Sequence, residues 1–162
     1  MYKLILDSDS LIKLTHAEML NKICETFECI TTTEVKRETV DEGKKRFYPD
    51  ADIIEDLIKN QLIHIKDTKR LIGAKPNLGL GEISVFSLSI ELKNSLIVSD
   101  DQTFIKELEK QNINFLVPSD LIILLKRRNK INLAEAKYYL EKLKTFIRDD
   151  NYNKIKKELE EK

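Results

Sequence analysis

Residues 4–14 read LILDSDSLIKL: an apolar run closes on two aspartates, Asp7 and Asp9, and a second apolar run follows at once. A continuous apolar run of this kind is typical of a strand that is buried on both faces, as strands of parallel sheets are. Residues 10–27 carry apolar side chains at helical spacing and predict two short helices. The chain is therefore predicted to open with a buried strand that ends in carboxylates at the start of a helix.

Strand-like runs and helical segments alternate along the rest of the chain. Strands are predicted over 29–33, 62–67, 95–101 and 113–117, and helices over 33–47, 51–60, 82–93, 102–111, 118–128, from Asn132 onward and in the tail. The stretch 68–81 holds three of the four glycines and predicts a loop. Short strands separated by helices indicate right-handed βαβ units, so the predicted fold class is α/β with a mainly parallel sheet.

Length and composition restrict the class of protein. A chain of 162 residues is most simply one domain, with 1–128 as the α/β part and 129–162 as a helical extension of it. The 28 basic and 28 acidic residues balance, so no overall basic field indicates nucleic acid, although one basic face is still able to bind it.

Cys24 and Cys29 are predicted to be thiols of a reducing compartment. With no apolar run of membrane-spanning length and no signal-peptide pattern, we expect a cytoplasmic protein without membrane contact.

Acidic residues follow two of the predicted strands. Asp7 and Asp9 come directly after the first strand, and Asp100 and Asp101 come after SLIVS, a run of the same character. In an open parallel sheet the functional crevice lies outside the carboxyl ends of the strands. If these two strands are neighbours, both acid pairs lie at the same edge of the sheet.

Two glutamates extend this predicted cluster. Glu38 lies in the helix after the second strand, and Glu82 begins a buried helix whose positive N-terminal end favours an anion. Carboxylates this close repel one another unless a cation lies among them. Oxygen-only ligands suit Mg²⁺ or Mn²⁺, whereas zinc would require His or Cys. The chemistry then available is metal-assisted phosphoryl transfer with one or two ions.

At these residues the sequence resembles the PIN-domain family. The segments LDSDSLIKL, TTEVKRETV, LGLGEISVFSLSIE and LIVSDDQTFIK are similar, in that order, to the acidic motifs of PIN domains. The resemblance runs from about Tyr2 to Val117, and the segment from Val117 onward resembles the C-terminal extension of some PIN proteins. It implies a three-layer α/β/α sandwich with a mainly parallel central sheet. It also implies a Mg²⁺- or Mn²⁺-dependent ribonuclease, a class that includes many toxins of toxin–antitoxin pairs.

The resemblance assigns roles to particular acids. Matched by position, the catalytic residues are Asp7, Glu38, Glu82 and Asp101. The implied metal ligands are Asp7, Glu82 and Asp101, with Asp100 and Asp9 as helpers. Glu34 also lies in the second motif, and Glu38 is selected over it by spacing.

Each of these residues also has a structural interpretation. Asp is a preferred helix N-cap, so Asp9 or Ser10 is a candidate cap of the first helix, and Asp100 or Asp101 a candidate cap of the helix that contains Phe104. Two basic clusters are candidate phosphate contacts through Arg127, Arg128 and Lys45, although charge runs at helix ends are more often only solvated.

Two further functions stay open at the level of sequence. LILDSDS also resembles the nucleophile motif of haloacid-dehalogenase phosphatases, in which Asp7 would be phosphorylated. The second alternative is a catalytically inactive PIN-like module that binds RNA or protein. For the ribonuclease, the implied partners are single-stranded RNA, an antitoxin protein and a second copy of the chain in a homodimer. The charged tail helix, with its thin apolar stripe of Tyr152, Ile155 and Leu159, is expected to be exposed and available for that dimer.

Overall fold

The structure, a computed structural model, describes residues 2–73 and 77–161. Five strands form one sheet in the order β3-β2-β1-β4-β5, and every neighbouring pair is parallel. The strands are β1 (Lys3–Leu6), β2 (Glu28–Thr31), β3 (Ile63–Ile65), β4 (Ser95–Val98) and β5 (Phe115–Leu116). All five lie within the predicted runs or one residue outside them, and most are shorter than predicted because pairing stops where the chain turns into the next helix.

Helices connect and cover these strands. They are α1 (Ser8–His16), α2 (Leu20–Thr26), α3 (Thr33–Lys36), α4 (Glu42–Lys45), α5 (Pro49–Lys59), α6 (Leu80–Glu91), α7 (Gln102–Lys110), α8 (Asp120–Arg127), α9 (Leu133–Leu143) and α10 (Asp149–Glu160). A π-helical turn, Arg37–Asp41, joins α3 to α4, so the single helix predicted over 33–47 is one helical run with a π turn at its centre. Such turns occur often at functional sites, and Glu38 lies in this one.

The central strand β1 explains why the opening sequence is apolar on both faces. Leu4, Ile5 and Leu6 are all buried, with β2 on one side and β4 on the other. Leu6 is paired with Val98, so the residues that follow β1 and β4 leave the sheet side by side. The chain builds outward from β1 in one direction to β3 and in the other to β5, which makes the gap between β1 and β4 the topological switch point.

Helices cover the sheet on both faces and complete an α/β/α sandwich. On one side α1 contacts α2 and α5, while α6 packs against β1 and β4. The right-handed crossover rule places these two groups on opposite faces, because the connections run in opposite directions along the sheet. Within the described residues, every helix falls short of the length and apolarity of a membrane span.

The C-terminal helices pack onto this sandwich. Helix α10 contacts α8 and α9, and α9 contacts α1. Tyr152, Ile155 and Leu159, which the sequence presents as an apolar stripe on an exposed tail available for dimerisation, are all buried within the chain. That expectation is wrong, since the apolar side of α10 is already covered by the protein's own helices. The boundary at residues 128–129 stays a prediction.

The structure describes only part of the loop predicted over residues 68–81. Residues 74–76 lie outside the described residues, and the described residues 66–73 and 77–79 form no regular helix or strand. Helix α6 begins at Leu80, two residues before the predicted start, because Gly79 serves as its N-cap. Cys24 and Cys29 are buried free thiols, as predicted.

The end of α4 carries an unusual residue. Phe47 has φ 60 and is 91% exposed. Its N–H donates to the Lys44 carbonyl at 3.1 Å, and the next N–H, of Tyr48, donates to the Gly43 carbonyl at 2.9 Å. These two bonds form a Schellman motif, whose left-handed position is usually Gly and only sometimes Asn. A large side chain therefore occupies a strained backbone position while burying almost none of its surface.

We expect Phe47→Gly to stabilise the protein. Glycine adopts positive φ without the steric cost of about 1 kcal/mol or more that other residues incur, and almost no packing is lost. Urea unfolding should show a gain of about 1 kcal/mol in the free energy of unfolding for Phe47→Gly. Phe47→Ala, which keeps a Cβ at the strained position, is the control and should change little. A loss of stability in Phe47→Gly would contradict the claim that the positive φ of Phe47 destabilises the protein.

Candidate metal centre

A pocket of about 190 Å³ opens at the carboxyl edge of the sheet, beside the switch point. It is lined by Asp7, Ser8, Asp9, Glu38, Gly79, Glu82 and Asp101. Its five acids come from four separate segments of the chain: the start of α1, the π turn, the start of α6 and the start of α7. The structure thus brings together all four residues predicted as catalytic, and Asp9 with them.

Asp7 forms the floor of this pocket and also holds the start of α1. Asp7 is 2% exposed, and its Oδ1 accepts the Ser10 N–H at 2.8 Å. Asp7 is the N-cap of α1, so the sequence-based choice of Asp9 or Ser10 as the cap is wrong. Burial, with a smaller contribution from the Asp9 charge, raises the pKa of Asp7 to about 7, although hydrogen bonds from Ser99 and Ser10 oppose the shift.

Glu38 is held by the neighbouring elements. Its Oε2 accepts the Ser8 hydroxyl at 2.5 Å, and its Oε1 accepts the Gly81 N–H at 3.0 Å. One carboxylate therefore joins the π turn, the start of α1 and the start of α6. Glu34, the other acid of this motif, pairs with Arg37 at 2.6 Å instead.

Buried hydroxyls join the helices that carry Glu38 and Glu82. Thr32, the N-cap of α3, lies 2.7 Å from Ser84 of α6, Oγ1 to Oγ. Thr31 donates its hydroxyl to the Leu6 carbonyl at 2.7 Å, at the end of β1. These bonds set the separation between two of the acid-bearing segments.

Glu82 and Asp101 both line the pocket and lie close to each other. Glu82 Oε1 accepts the Gly79 N–H at 3.0 Å, and Asp101, the N-cap of α7, accepts the Phe104 N–H at 2.9 Å. Burial raises the pKa of Glu82 above its usual range, and the charges of Asp101 and Glu38 raise it further. Each of these two carboxylates has a second oxygen beyond the one that binds a backbone N–H.

Asp9 and Asp100 share one ammonium group. Lys13 Nζ lies 3.1 Å from Asp9 Oδ2, as an ion pair without hydrogen-bond geometry, and 3.0 Å from Asp100 Oδ2. The Asp100 side chain is 2% exposed, and its Oδ1 has no hydrogen-bond partner among the described residues. Asp100 does not line the pocket, whereas Asp101 does. The structure therefore separates the two aspartates that the sequence places together.

The basic residues predicted as phosphate contacts lie elsewhere. The Arg128 guanidinium stacks over the Phe27 ring at 5.0 Å, and Arg127 lines a small surface pocket formed by α8 and α10. Lys45, at the end of α4, lies 3.6 Å from Glu42. None of the three lines the acidic pocket, and their contact with substrate stays a prediction.

The pocket residues suit a hard divalent cation in their chemistry. All the acidic donors are carboxylate oxygens, and a cation would offset both the burial and the smaller repulsion from Asp101 and Glu38 that raise the pKa of Glu82. Across residues 2–73 and 77–161, however, no three His, Cys, Asp or Glu side chains form a ready metal cluster. Backbone N–H groups and Ser8 hold the carboxylates at their present positions. Metal binding therefore requires side-chain adjustment at Asp7, Glu82 and Asp101.

Sequence reasoning missed three residues that shape this site. Ser8 and Gly81 bind Glu38, and Lys13 pairs with both Asp9 and Asp100. Ser8 was detectable, because it lies between two aspartates that were already predicted to be at the site. The Lys13–Asp9 pair lies at i, i+4 and was also detectable, whereas Gly81–Glu38 and Lys13–Asp100 join residues 43 and 87 positions apart, for which local patterns contain no signal.

A parallel sheet between helices, with a carboxylate pocket at its switch point, defines an open-sheet α/β/α protein. The family model described as "DUF3368: PIN domain" matches residues 3–161. The chain therefore belongs to the PIN-domain family, whose members are generally nucleases and typically use divalent metal ions. This membership, predicted from the acidic motifs, replaces the phosphatase alternative.

Comparison with solved structures gives the same fold. A PilT N-terminus domain protein from the hyperthermophilic archaeon Sulfolobus solfataricus P2 is similar with a TM-score of 0.53 and 15% identity, over 74% of this chain and 89% of that chain. At this identity the similarity concerns the fold alone. Comparison with curated proteins gave no match.

Proposed function

We propose that the protein is a metal-dependent endoribonuclease that hydrolyses phosphodiester bonds of single-stranded RNA. The observation that supports this function is the pocket itself, in which five carboxylates from four segments of a PIN-domain chain lie together. Such a group of like charges is costly to hold together without a cation. Its oxygen-only chemistry favours Mg²⁺ or Mn²⁺, with Asp7, Glu82 and Asp101 as the residues that would hold one or two ions.

The residues around such a metal centre would have different roles. A bound divalent ion would polarise the phosphate and lower the pKa of a coordinated water. Glu38, held by Ser8 and Gly81, keeps a carboxylate in place in the lining of the pocket. Lys13 keeps Asp9 and Asp100 paired and so limits the negative charge at the rim.

The test of this function is RNA cleavage with metal as the variable. The protein is incubated with single-stranded and duplex RNAs in Mn²⁺, in Mg²⁺ and in EDTA, with p-nitrophenyl phosphate as a phosphatase substrate. We expect cleavage of the single strands only when metal is present, and no ester hydrolysis. RNA binding without cleavage under every condition would favour the inactive module and contradict the proposed activity.

Gly81→Ala offers a structural test of the same site. A Cβ at residue 81 would lie 2.8 Å from Glu38 Oε2 and 2.9 Å from Glu38 Cδ, so the carboxylate must move. The φ of Gly81 is not positive, so alanine is compatible with the backbone. We expect a loss of cleavage of about 10²-fold, the scale reached when a catalytic group is misplaced by an ångström.

Gly79→Ala is the matched control for this substitution. A Cβ there meets only Glu82 Oε1, at 3.7 Å, which is ordinary contact. We expect Gly79→Ala to retain most of the activity, and both variants to show the circular dichroism and cooperative unfolding of a folded chain. Equal activity in Gly81→Ala and the parent protein would show that the position of Glu38 does not matter.

We also propose a toxin role with a cognate antitoxin and a homodimeric state, both on the family resemblance alone. Coexpression with the product of the neighbouring upstream coding sequence tests the first by relief of growth arrest. Light scattering coupled to size-exclusion chromatography tests the second. Because the apolar stripe of α10 is buried, a dimer would have to use another surface.

A further inference from the structure

A second groove, larger than the acidic pocket, lies beside α7. It has a volume of about 380 Å³ and is lined by Asn77, Leu78, Thr103, Lys106, Glu107 and Lys110. We call it the lysine groove. Residues 103, 106, 107 and 110 recur at helical spacing, so they form one face of α7.

The lysine groove begins where the acidic pocket ends. Leu78 precedes Gly79, which lines the acidic pocket, and Thr103 follows two residues after Asp101, which also lines it. Helix α7 rises by about 1.5 Å per residue, so Lys106 and Lys110 lie roughly 7 and 13 Å along its axis from Asp101. The groove therefore leads away from the acidic pocket and carries an ammonium group on each of two successive turns.

The two lysines are available for an external anion. Both are exposed, and neither forms an ion pair with any residue in 2–73 or 77–161. Several lysines elsewhere are engaged with the protein's own carboxylates, as Lys44 is with Glu55 at 2.6 Å. Among its described lining residues the groove has two lysines and one carboxylate, that of Glu107, so their formal charge is positive next to a pocket lined by five acids.

These observations point to the anion that the groove would bind. A polynucleotide with one phosphodiester at the acidic pocket must place its neighbouring phosphates on adjacent surface, and the pocket's carboxylates repel them. We propose that the lysine groove binds the backbone phosphates of single-stranded RNA on one side of the bond that is cut, with Lys106 and Lys110 as the phosphate contacts. This inference rests on the proposed ribonuclease function and adds the path of the substrate strand.

The double variant Lys106→Ala/Lys110→Ala tests this path. Binding of a short fluorescent single-stranded RNA to the full chain is measured by anisotropy in EDTA, where no cleavage occurs, at several salt concentrations. Each phosphate contact on a single strand adds about 0.7 to the slope of log K against log salt, so the slope should become shallower by roughly 1.4. In Mn²⁺, KM for cleavage should rise while kcat stays near that of the parent protein.

A matched control comes from the C-terminal helices. Lys137 and Lys156 also line a groove, of about 260 Å³, between α9 and α10, neither of which contributes to the acidic pocket. Lys137→Ala/Lys156→Ala removes the same charge and should leave the affinity, the salt slope and KM unchanged. Equal losses in both double variants would indicate a general charge effect and overturn the proposal.

The remaining outcomes separate this proposal from the function on which it depends. If the parent protein cleaves RNA and the groove variant matches it in salt slope and KM, the path is wrong and the ribonuclease stands. If the parent neither binds nor cleaves RNA, both fail. If the groove variant keeps RNA affinity but loses binding to a coexpressed acidic protein, the groove is a protein-binding surface and the proposal is overturned.

Discussion

Asp7→Asn is expected to reduce metal-dependent RNA cleavage by at least about 100-fold while the protein stays folded. Loss of one carboxylate from a divalent metal site weakens metal binding, and even residues that only support such ligands are typically worth about 10- to 100-fold. Asparagine is as good an N-cap as aspartate, so the start of α1 is preserved. Initial cleavage rates of labelled RNA in Mn²⁺, compared at equal protein concentration, measure the effect.

The same substitution should change how stability depends on pH. The Asp7 carboxyl ionises near 3.8 in the unfolded chain, whereas burial raises its pKa to about 7 in the folded protein. Between these values the folded state holds the proton that the unfolded state has lost, so this group lowers the free energy of unfolding as pH rises. The decrease ends above about pH 7 and amounts at most to about 4 kcal/mol. In metal-free buffer, Asp7→Asn should flatten this fall and be at least as stable as the parent protein at pH 8.

Asp9→Asn is the control for both measurements. Asp9 lines the same pocket but is paired with Lys13 and is more exposed, so its replacement should cost less activity and leave the pH dependence of stability largely unchanged. Wild-type cleavage rates in Asp7→Asn would contradict the role of Asp7. Unfolding of Asp7→Asn at every pH would instead show that Asp7 is needed for the fold in a way that its cap does not explain.

Lys13→Met is expected to destabilise the protein by about 2 to 3 kcal/mol at neutral pH. Removing one partner of a buried ion pair leaves an uncompensated charge and typically costs about 3 to 5 kcal/mol. The lower figure applies because the Lys13 side chain is 19% exposed, while that of Asp100 is 2% exposed. Methionine keeps the length and apolar stem of lysine, so the packing of α1 is retained. Urea unfolding of the metal-free protein measures the loss.

The double variant Lys13→Met/Asp100→Asn separates charge from packing. If the loss arises from the unpaired Asp100 carboxylate, replacing it with a neutral amide should restore part of the stability that Lys13→Met removes. A single variant as stable as the parent protein would show that water already solvates Asp100. A double variant no more stable than Lys13→Met would locate the loss in the contacts of the lysine stem.

Much of the fold was predictable because parallel strands carry a local signal. The run from Leu4 to Leu6 is apolar on both faces since β1 lies at the centre of the sheet, and β4, which also has a strand on each side, buries Ile97 and Val98. The helix predicted from Asn132 onward is α9, and Asn132 and Glu135 form a capping box at its start. No single segment of the sequence shows the order of the strands. The placement of Asp7 and Asp101 in one pocket depends on that order, so it was not readable from a single segment either.

The sequence predicted which acids lie at the site better than it predicted what each side chain contacts. Asp7, Asp9 and Ser10 are all good N-caps, so composition did not decide which one closes α1. Asp100 and Asp101 are adjacent in sequence, but backbone geometry after β4 turns one toward Lys13 and the other into the pocket. The buried stripe of α10 was misassigned because an apolar helix face has the same sequence pattern whether it packs within the chain or against a partner.

A crystal of the protein soaked in Mn²⁺ tests the central claim most directly, by anomalous scattering at the manganese edge. The expected result is a manganese peak inside the pocket lined by Asp7, Glu82 and Asp101, lost in crystals of Asp7→Asn. Side chains of those three residues should move toward the ion, since the metal-free carboxylates are held by backbone N–H groups. An empty pocket at saturating Mn²⁺, or manganese bound only elsewhere on the surface, would contradict the assignment of this pocket as the metal centre.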